Sequence, residues 1–188
     1  LKHLGNRYSI KNYRGIDKVL LDIMDVTYVP GMKRICFAVK NEKGEIVGAS
    51  LRAEKDETPK WLHRPRNIKT RSLLYNLNNV IKTGTRNVFV VEGLMDCINL
   101  VSQGIENVVA TFGANLTLEQ TLLLVTYFDE VVLMYDNDKA GRNATVKAMD
   151  KLKKLFSVKV CEYQGKDPGE LKISDDTLSI IEWYEYEE

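Results

Sequence analysis

The sequence predicts an α/β protein in which a parallel β-sheet is flanked by helices and is preceded by a smaller basic α+β part. From residue 87 onward, four strand-like runs alternate with helix-like segments. This order is typical of a parallel sheet, because right-handed crossovers place helices on both faces. The first run, residues 88–91, is apolar throughout, as expected for a strand covered on both faces. Before residue 87, a hairpin pattern and many basic residues replace the alternation.

The basic part begins with apolar residues at helical spacing, which predict an amphipathic helix over residues 16–25. Two strand-like runs, residues 34–40 and 45–52, follow and are separated by a polar, glycine-containing turn, which predicts a β-hairpin. Residues 53–72 contain two prolines and no apolar periodicity, so we expect an irregular basic surface segment. A short helix is expected from about Leu73.

The later elements alternate in type. In order, we predict a helix over residues 94–103, a strand over 108–111, a helix from about 117 to 128, a strand over 131–135, a long amphipathic helix between 144 and 156, and a strand over 158–163. Thr117 and Gln120 have the spacing of a capping box at the start of the third of these elements. We therefore divide the chain into a basic part (residues 1–86), an alternating part (87–171), and an acidic tail or truncated helix (172–188).

The charge of the chain is unevenly distributed. The net charge is only +1, but residues 1–86 hold 18 Lys and Arg against 8 Asp and Glu, whereas residues 87–188 hold 9 against 18. This asymmetry suggests a basic part that meets a polyanion and an acidic part that meets a metal. The alternative is that the charges only solvate two faces of the protein.

The cysteines and apolar runs exclude several classes of protein. The chain has 3 cysteines, far apart and without a C-x-x-C pair, so neither a zinc site nor a disulfide framework is indicated. We expect reduced, buried thiols in a cytoplasmic protein. The apolar runs are far shorter than the roughly 20 residues of a membrane-spanning helix, so no membrane partner is expected. Because the chain opens on Leu1, we expect a fragment.

Acidic residues follow three of the strand-like runs. Glu92 follows the first run, Asp136 and Asp138 follow the third, and Asp167 follows the fourth. Ligands bind at the carboxyl ends of the strands in an open parallel sheet, so we expect these acids to converge. Grouped carboxylates repel one another and favour a divalent cation. Oxygen ligands without His or Cys point to Mg²⁺ or Mn²⁺.

Four segments in order resemble one family. They are E-G-L-M-D (residues 92–96), T-F-G-A-N-L-T (111–117), Y-D-N-D-K-A-G-R (135–142) and K-D-P-G-E (166–170). Together they resemble the TOPRIM signature of DnaG-type bacterial and phage DNA primases. The resemblance implies the Rossmann-like fold of a TOPRIM domain. Upstream, P-K-W-L (59–62) and L-Y-N-L (74–77) are similar to segments of the RNA polymerase core of these primases. The resemblance covers roughly residues 34–171.

The resemblance implies roles for the acidic residues. Glu92 would act as a general acid or base, while Asp136 and Asp138 would hold Mg²⁺ or Mn²⁺, with Asp167 and Glu92 completing a two-ion site. Asp96 would orient Glu92 or a metal-bound water, or it is an ordinary exposed acid at a helix start. Asp138 has a second possible role, the capping of the following helix.

One position departs from the family pattern. The family usually has a second acid where this chain has Gly169, so the second ion is expected to be held more weakly unless Glu170 compensates.

The basic residues divide into two predicted groups. Lys139, Arg142 and Lys166 flank the acids and would bind nucleotide phosphates, or they are ordinary surface cations. The predicted DNA-binding residues are Arg52, Lys60, Trp61, Arg64, Arg66, Lys69 and Arg71. Trp61 would stack on an unpaired base, or it is a core aromatic packed under the hairpin.

The resemblance implies a DNA primase catalytic core that makes short RNA primers by nucleotidyl transfer. Its expected partners are a single-stranded DNA template, ribonucleoside triphosphates and, through regions outside this fragment, a replicative helicase of the primosome. The expected location is the cytoplasm of a bacterium or a phage-infected bacterium. The alternatives are a TOPRIM nuclease of the OLD or ribonuclease-maturation type, and a non-catalytic DNA-binding module similar to recombination mediators.

Overall fold

The computed structural model describes residues 4–173 and 178–182. The chain forms two compact units, Leu1–Lys69 and Thr70–Glu188. The three-part division at residues 86 and 172 stays a prediction.

The first unit contains a five-stranded antiparallel sheet in the order β1-β4-β5-β6-β7. Its elements are β1 (Tyr8–Ser9), β2 (Asn12–Tyr13), β3 (Ile16–Asp17), α1 (Lys18–Ile23), β4 (Val26–Val29), β5 (Arg34–Lys40), β6 (Ile46–Ala53) and β7 (Trp61–Arg64). Strands β2 and β3 form a separate two-stranded ribbon. Strands β5 and β6 confirm the predicted hairpin, and Gly44 in its turn has a φ of +84°, which glycine adopts without steric cost.

Two predictions for this unit are wrong. Helix α1 begins only at Lys18, because Ile16 belongs to β3 and Asp17 caps the helix by accepting a hydrogen bond from Leu20 N at 3.0 Å. Val19 in the predicted apolar face is 68% exposed. The segment predicted to be irregular contains β7, which pairs antiparallel with β6. This strand is too short, between two prolines, to show a period in the sequence.

The second unit contains a five-stranded sheet in the order β12-β11-β10-β8-β9. Its elements are α2 (Leu77–Thr83), β8 (Asn87–Val91), α3 (Leu94–Ser102), β9 (Val108–Ala110), α4 (Leu118–Tyr127), β10 (Glu130–Leu133), α5 (Lys139–Leu152), β11 (Ser157–Tyr163) and β12 (Leu178–Glu182). Strands β8 to β11 are parallel to one another, and β12 is antiparallel to β11. The predicted α/β class with a parallel sheet is confirmed.

The strand order reverses between β8 and β10. After β8 the chain adds β9 on one side of it and then returns to add β10 on the other side. In open α/β sheets, ligands bind outside the carboxyl ends of the strands at such a switch point. Val90 and Leu133, near the ends of these two strands, are fully buried, so the core fixes the positions from which Glu92 and Asp136 follow.

Other predictions for this unit have mixed outcomes. The capping box is confirmed, since Thr117 Oγ1 accepts from Gln120 N at 3.2 Å and Gln120 Oε1 accepts from Thr117 N at 3.0 Å. The three cysteines are buried and unpaired, as expected.

The helix considered for the acidic tail is replaced by β12 over Leu178–Glu182, while residues 174–177 and 183–188 lie outside the described part. No helix within the described residues is long and apolar enough to cross a membrane.

Candidate functional site

Glu92 and Asp136 meet at the switch point of the sheet. Glu92 directly follows β8, and its Oε1 accepts a hydrogen bond from Asp136 N at 3.4 Å. The backbone of Glu92 is fixed by a separate contact, in which Gly113 N donates a hydrogen bond to Glu92 O at 2.9 Å. Burial raises the pKa of Glu92 to about 7, and the charges of Asp136 and Asp138 add to this increase. The structure therefore places these acids at one edge of the sheet, where they repel one another.

Asp136 contributes an oxygen atom without a protein partner. Its Oδ1 is buried and, among the residues that the structure describes, accepts no hydrogen bond. Burial raises the pKa of Asp136 to about 6, and the charges of Asp167 and Asp138 raise it further while Lys166 opposes them. A buried carboxylate oxygen without a donor is costly unless a proton or a cation satisfies it.

Asp96 caps a helix and lies close to the other acids, and its predicted role in orienting Glu92 or a metal-bound water stays a prediction. Its Oδ2 accepts a hydrogen bond from Gly93 N at 2.8 Å, so the side chain caps the start of α3. Burial raises the pKa of Asp96 to about 7, and Asp136, Asp167 and Glu92 all contribute to the increase. The carboxyl group therefore belongs electrostatically to the acidic cluster and is not an ordinary exposed acid.

Gly169 separates two carboxylates of this cluster. A Cβ atom built on Gly169 would lie 2.6 Å from Asp96 Oδ1 and 3.2 Å from Asp167 Oδ1. The absence of a side chain at residue 169 therefore leaves room for both carboxylate oxygens in their present positions.

Asp138 is exposed and caps α5, since its Oδ1 accepts from Gly141 N at 2.8 Å. Gly141 in turn packs so tightly on the main chain of Asp136 that an added Cβ would overlap the Asp136 carbonyl. This contact fixes the first turn of α5 against the Asp136 loop. The cap gives Asp138 Oδ1 a hydrogen-bond donor. It gives no donor to Asp136 Oδ1.

The cluster suits a hard divalent cation in its chemistry but is not arranged as a finished coordination site. Five carboxyl groups on three segments influence one another electrostatically: Glu92, Asp96, Asp136, Asp138 and Asp167. Within residues 4–173 and 178–182, no three acidic, His or Cys side chains already form a metal-binding group. All the available ligand atoms are oxygens, the type that Mg²⁺ and Mn²⁺ prefer.

The predicted phosphate-binding cations lie beside this cluster. Arg142 and Asp136 line a cavity of about 300 Å³, and Arg142 Nη1 donates to Asn137 O. Lys166 lowers the pKa of Asp136, which places its charge near that carboxyl group. Lys139 is exposed on the first turn of α5. Their roles in nucleotide binding stay predictions.

Trp61 is half-buried in β7 and uses its ring within the first unit. Its centroid lies 5.6 Å from that of Phe37, and the Arg52 guanidinium lies 5.6 Å from the Trp61 ring centroid. Trp61 therefore has partners for its ring within the first unit, and its role in stacking on an unpaired base stays a prediction. Nearby His63 Nδ1 is hydrogen-bonded to Ser50 Oγ at 2.9 Å, and burial lowers its pKa.

The remaining predicted DNA-binding cations differ in exposure. Lys60, Arg66 and Lys69 are exposed, and Arg64 is half-buried with its Nη1 donating to His63 O at 3.0 Å. Arg71 is also exposed but belongs to the second unit. None of these observations tests DNA binding, which stays a prediction for this group.

Comparison with known proteins agrees with this geometry. Residues 89–172 match the family described as Toprim-like. The chain carries a TOPRIM domain of the DnaG primase type. A DNA primase of Clostridium acetobutylicum is 36% identical over 165 residues, which are 80% of this chain and 28% of that protein. The chain thus spans little more than a quarter of this relative.

Solved structures resemble both the TOPRIM domain and the region before it. The DnaG primase catalytic domain bound to single-stranded DNA has a TM-score of 0.74 at 23% identity, over 84% of this chain and 64% of that one. The Aquifex aeolicus primase, with its zinc-binding and RNA polymerase domains, has a TM-score of 0.72 at 27% identity, over 84% of this chain and 49% of that one. The first of these likenesses concerns the fold alone.

Sequence reasoning missed three side-chain amides of the TOPRIM domain. Asn137, Asn99 and Gln103 donate hydrogen bonds to backbone carbonyls of Tyr163, the last residue of β11, and of the following loop, which carries Asp167. The partners are 26 to 72 residues away in the chain. A contact of this kind leaves no signal in residue spacing, and only the three-dimensional structure shows it.

Proposed function

We propose that this chain is part of the catalytic core of a DNA primase, which makes short RNA primers on a single-stranded DNA template during replication. The observation that carries the proposal is the meeting of Glu92 and Asp136 at the switch point of a DnaG-type TOPRIM domain. The similarity to a named DNA primase supports it over most of the chain.

Asp136, Asp138 and Asp167, together with Glu92, would hold Mg²⁺ or Mn²⁺, as two ions in this proposal. When bound, such ions stabilise the attacking and leaving oxygens of an in-line displacement at phosphorus. The orphaned buried oxygen of Asp136 and the all-oxygen ligand set support this assignment.

In this proposal Glu92 also acts as the general base. Burial and the neighbouring carboxylates raise its pKa to about 7 in the protein without a bound cation, and a positioned carboxylate can accept a proton from a reacting hydroxyl. The 3′-hydroxyl oxygen would form a bond to the α-phosphorus of a ribonucleoside triphosphate, pyrophosphate would leave, and the hydroxyl proton would pass to Glu92. Arg142, Lys166 and Lys139 would bind the triphosphate.

The first unit would carry the DNA template. Residues 1–69 contain 15 Lys and Arg against 8 Asp and Glu, and an excess of positive charge attracts phosphates without regard to sequence. A replicative helicase would bind through regions outside this chain. The proposed location is the cytoplasm of a bacterial or phage-infected cell, where replication takes place.

A template-directed assay with labelled ribonucleotides, with Mn²⁺ or Mg²⁺ present, tests the proposal. Primer products support a primase, shortened DNA indicates a nuclease, and shifted but intact DNA indicates a non-catalytic binder. The first test variant is Asp136→Asn, which should abolish synthesis and leave DNA affinity nearly unchanged. Because it removes one of several mutually repelling charges, it should remain folded.

The matched control is Asp150→Asn, which changes an exposed acid on α5 and should leave synthesis intact. Equal loss of synthesis and DNA binding in Asp136→Asn would contradict the proposed division between metal and template sites.

A further inference from the structure

The loop that follows β11 carries Asp167 and has little hydrogen bonding of its own. Among the residues that the structure describes, the backbone hydrogen bond inside this loop runs from Glu170 N to Asp167 O and is long, at 3.4 Å. Gly165 has a φ of +126°, so the chain turns sharply before Asp167. Contacts with other segments therefore have to fix the position of the Asp167 carboxylate.

Asn137 makes three such contacts at the start of the loop. Its side-chain Nδ2 donates to Tyr163 O at 2.8 Å and to Gly165 O at 2.9 Å, and its backbone N donates to Lys166 O at 2.9 Å. Asn137 lies between Asp136 and Asp138, so these bonds join the loop directly to the segment that bears two of the acids.

Two side-chain amides hold the end of the loop: Asn99 on α3, and Gln103, which caps the C-terminus of that helix. Asn99 Nδ2 donates to Pro168 O at 2.8 Å and to Leu171 O at 2.9 Å. Gln103 Nε2 also donates to Leu171 O at 2.7 Å, and its Oε1 accepts from Ile173 N at 2.6 Å. Helix α3 directly follows Glu92 and Gly93, so these bonds join the loop to the remaining acidic segment.

We propose that Asn137, Asn99 and Gln103 are positioning residues that fix the Asp167 loop against the Glu92 and Asp136 segments, so that acids from all three segments face one cation site. We call these three residues the amide clamp. This inference rests on the proposed metal-dependent function and adds to it the residues that bring the third segment into place.

The amide is the side-chain group suited to this task. Each primary amide has two N–H donors and one carbonyl acceptor, so one side chain can bridge two carbonyls of a loop. It is also uncharged. A Lys or Arg in the same place would pair with the carboxylates and compete with a cation, while an Asp or Glu would add to the repulsion that already raises the pKa of Asp136.

The test measures the Mn²⁺ dissociation constant by electron paramagnetic resonance, without nucleotide or DNA. Replacing Asn137 by Ala removes both amide bonds and keeps the backbone N–H. Residues that orient metal ligands typically affect metal affinity by about 10-fold to 100-fold, and we expect Asn137→Ala to weaken Mn²⁺ binding by about 10-fold.

A second measurement is hydrogen exchange. The backbone amides of residues 164–170 should exchange faster in Asn137→Ala than in the natural chain. Asn143→Ala, at an exposed position of α5, is the matched control and should change neither quantity.

A double variant separates positioning from general destabilisation. If Asn137 acts through Asp167, then Asn137→Ala should weaken Mn²⁺ binding in the natural background and have no further effect in the Asp167→Asn background. An equal effect in both backgrounds would overturn the proposal. Should Asn137→Ala fail to fold, Asn99→Ala, at the other end of the loop, is tested in the same two backgrounds.

The outcomes also distinguish this inference from the proposed function. If the natural chain binds Mn²⁺ no more tightly than Asp136→Asn, the metal site itself is wrong, and the positioning role falls with it. If the natural chain binds Mn²⁺ through Asp136 but Asn137→Ala binds equally well, only the amide clamp is wrong.

Discussion

At the scale of single residues, the carboxyl groups at the switch point are held in a costly arrangement. Burial and mutual repulsion raise the pKa of Glu92 and Asp96 to about 7 and that of Asp136 to about 6. A carboxyl pKa that folding raises means that the folded state prefers the protonated form. The stabilising contribution of these groups is therefore fully present below their ordinary pKa values near 4 and is lost as the pH rises through 6 to 7.

This direction predicts how Mn²⁺ should affect stability. Cations bind the deprotonated carboxylates, so Mn²⁺ relieves the repulsion only when the groups have lost their protons. We expect Mn²⁺ to raise the melting temperature clearly more at pH 8 than at pH 5, as measured by thermal unfolding with and without the ion. Asp136→Asn should reduce the difference, and Glu106→Gln, which changes an exposed acid, should preserve it. A shift that is equal at both pH values would contradict the assignment of the site.

At the scale of elements, the start of α4 shows how a local motif also ties segments together. Besides its capping role, Thr117 Oγ1 donates to Arg71 O at 2.5 Å, and Gln120 Nε2 donates to Leu73 O at 2.9 Å and to Thr111 O at 2.8 Å. Both side chains are buried, and they join the start of α4 to two carbonyl groups of the segment before α2.

We therefore expect Thr117→Ala to lower the free energy of unfolding by about 1 kcal/mol or more, the usual cost of losing a cap. Urea unfolding measures this change. Thr126→Ala is the control on the same helix, because its hydroxyl is exposed and donates to Leu122 O in the helix itself, and its effect should be close to zero. A similar loss in both variants would assign the effect to helix propensity rather than to the cap.

The elements that could be predicted from sequence are those with a long and regular signal. Strand β8 and helix α5 are buried in a repeating pattern, and the capping box is a local rule that needs no tertiary information. The predicted start of helix α1 is wrong, and strand β7 was not predicted. Each element is only a few residues long, and pairing with neighbouring strands overrides so short a pattern.

In the candidate site, too, some features could be predicted from the sequence and others could not. The acids could be found because each follows an apolar strand, and the topology of a parallel sheet brings strand ends together. The contact between Asp96 and Gly169, and the reach of Asn99 to Leu171, depend on how loops fold over the sheet. Residue spacing carries no information about such contacts.

At the scale of the whole molecule, the two units differ in charge. Because the basic first unit would contact the DNA phosphates, the affinity for DNA should fall as the salt concentration rises. Single-strand binding weakens with salt at a log–log slope of about −0.7 per phosphate contacted. We expect Lys60→Ala or Arg66→Ala to reduce the magnitude of the slope by about one such contact, as measured by fluorescence anisotropy over a series of salt concentrations. Lys43→Ala, at an exposed position in the β5–β6 turn, is the control. An unchanged slope would remove Lys60 and Arg66 from the DNA path.

The close approach at residue 169 also predicts how the site would respond to an added acid there. A Cβ at this position would lie 2.6 Å from Asp96 Oδ1 and 3.2 Å from Asp167 Oδ1, which are both atoms at the ends of side chains. An aspartate at residue 169 would therefore require these two carboxylates to turn aside. Its own charge would add to the repulsion that already raises the pKa of Asp96.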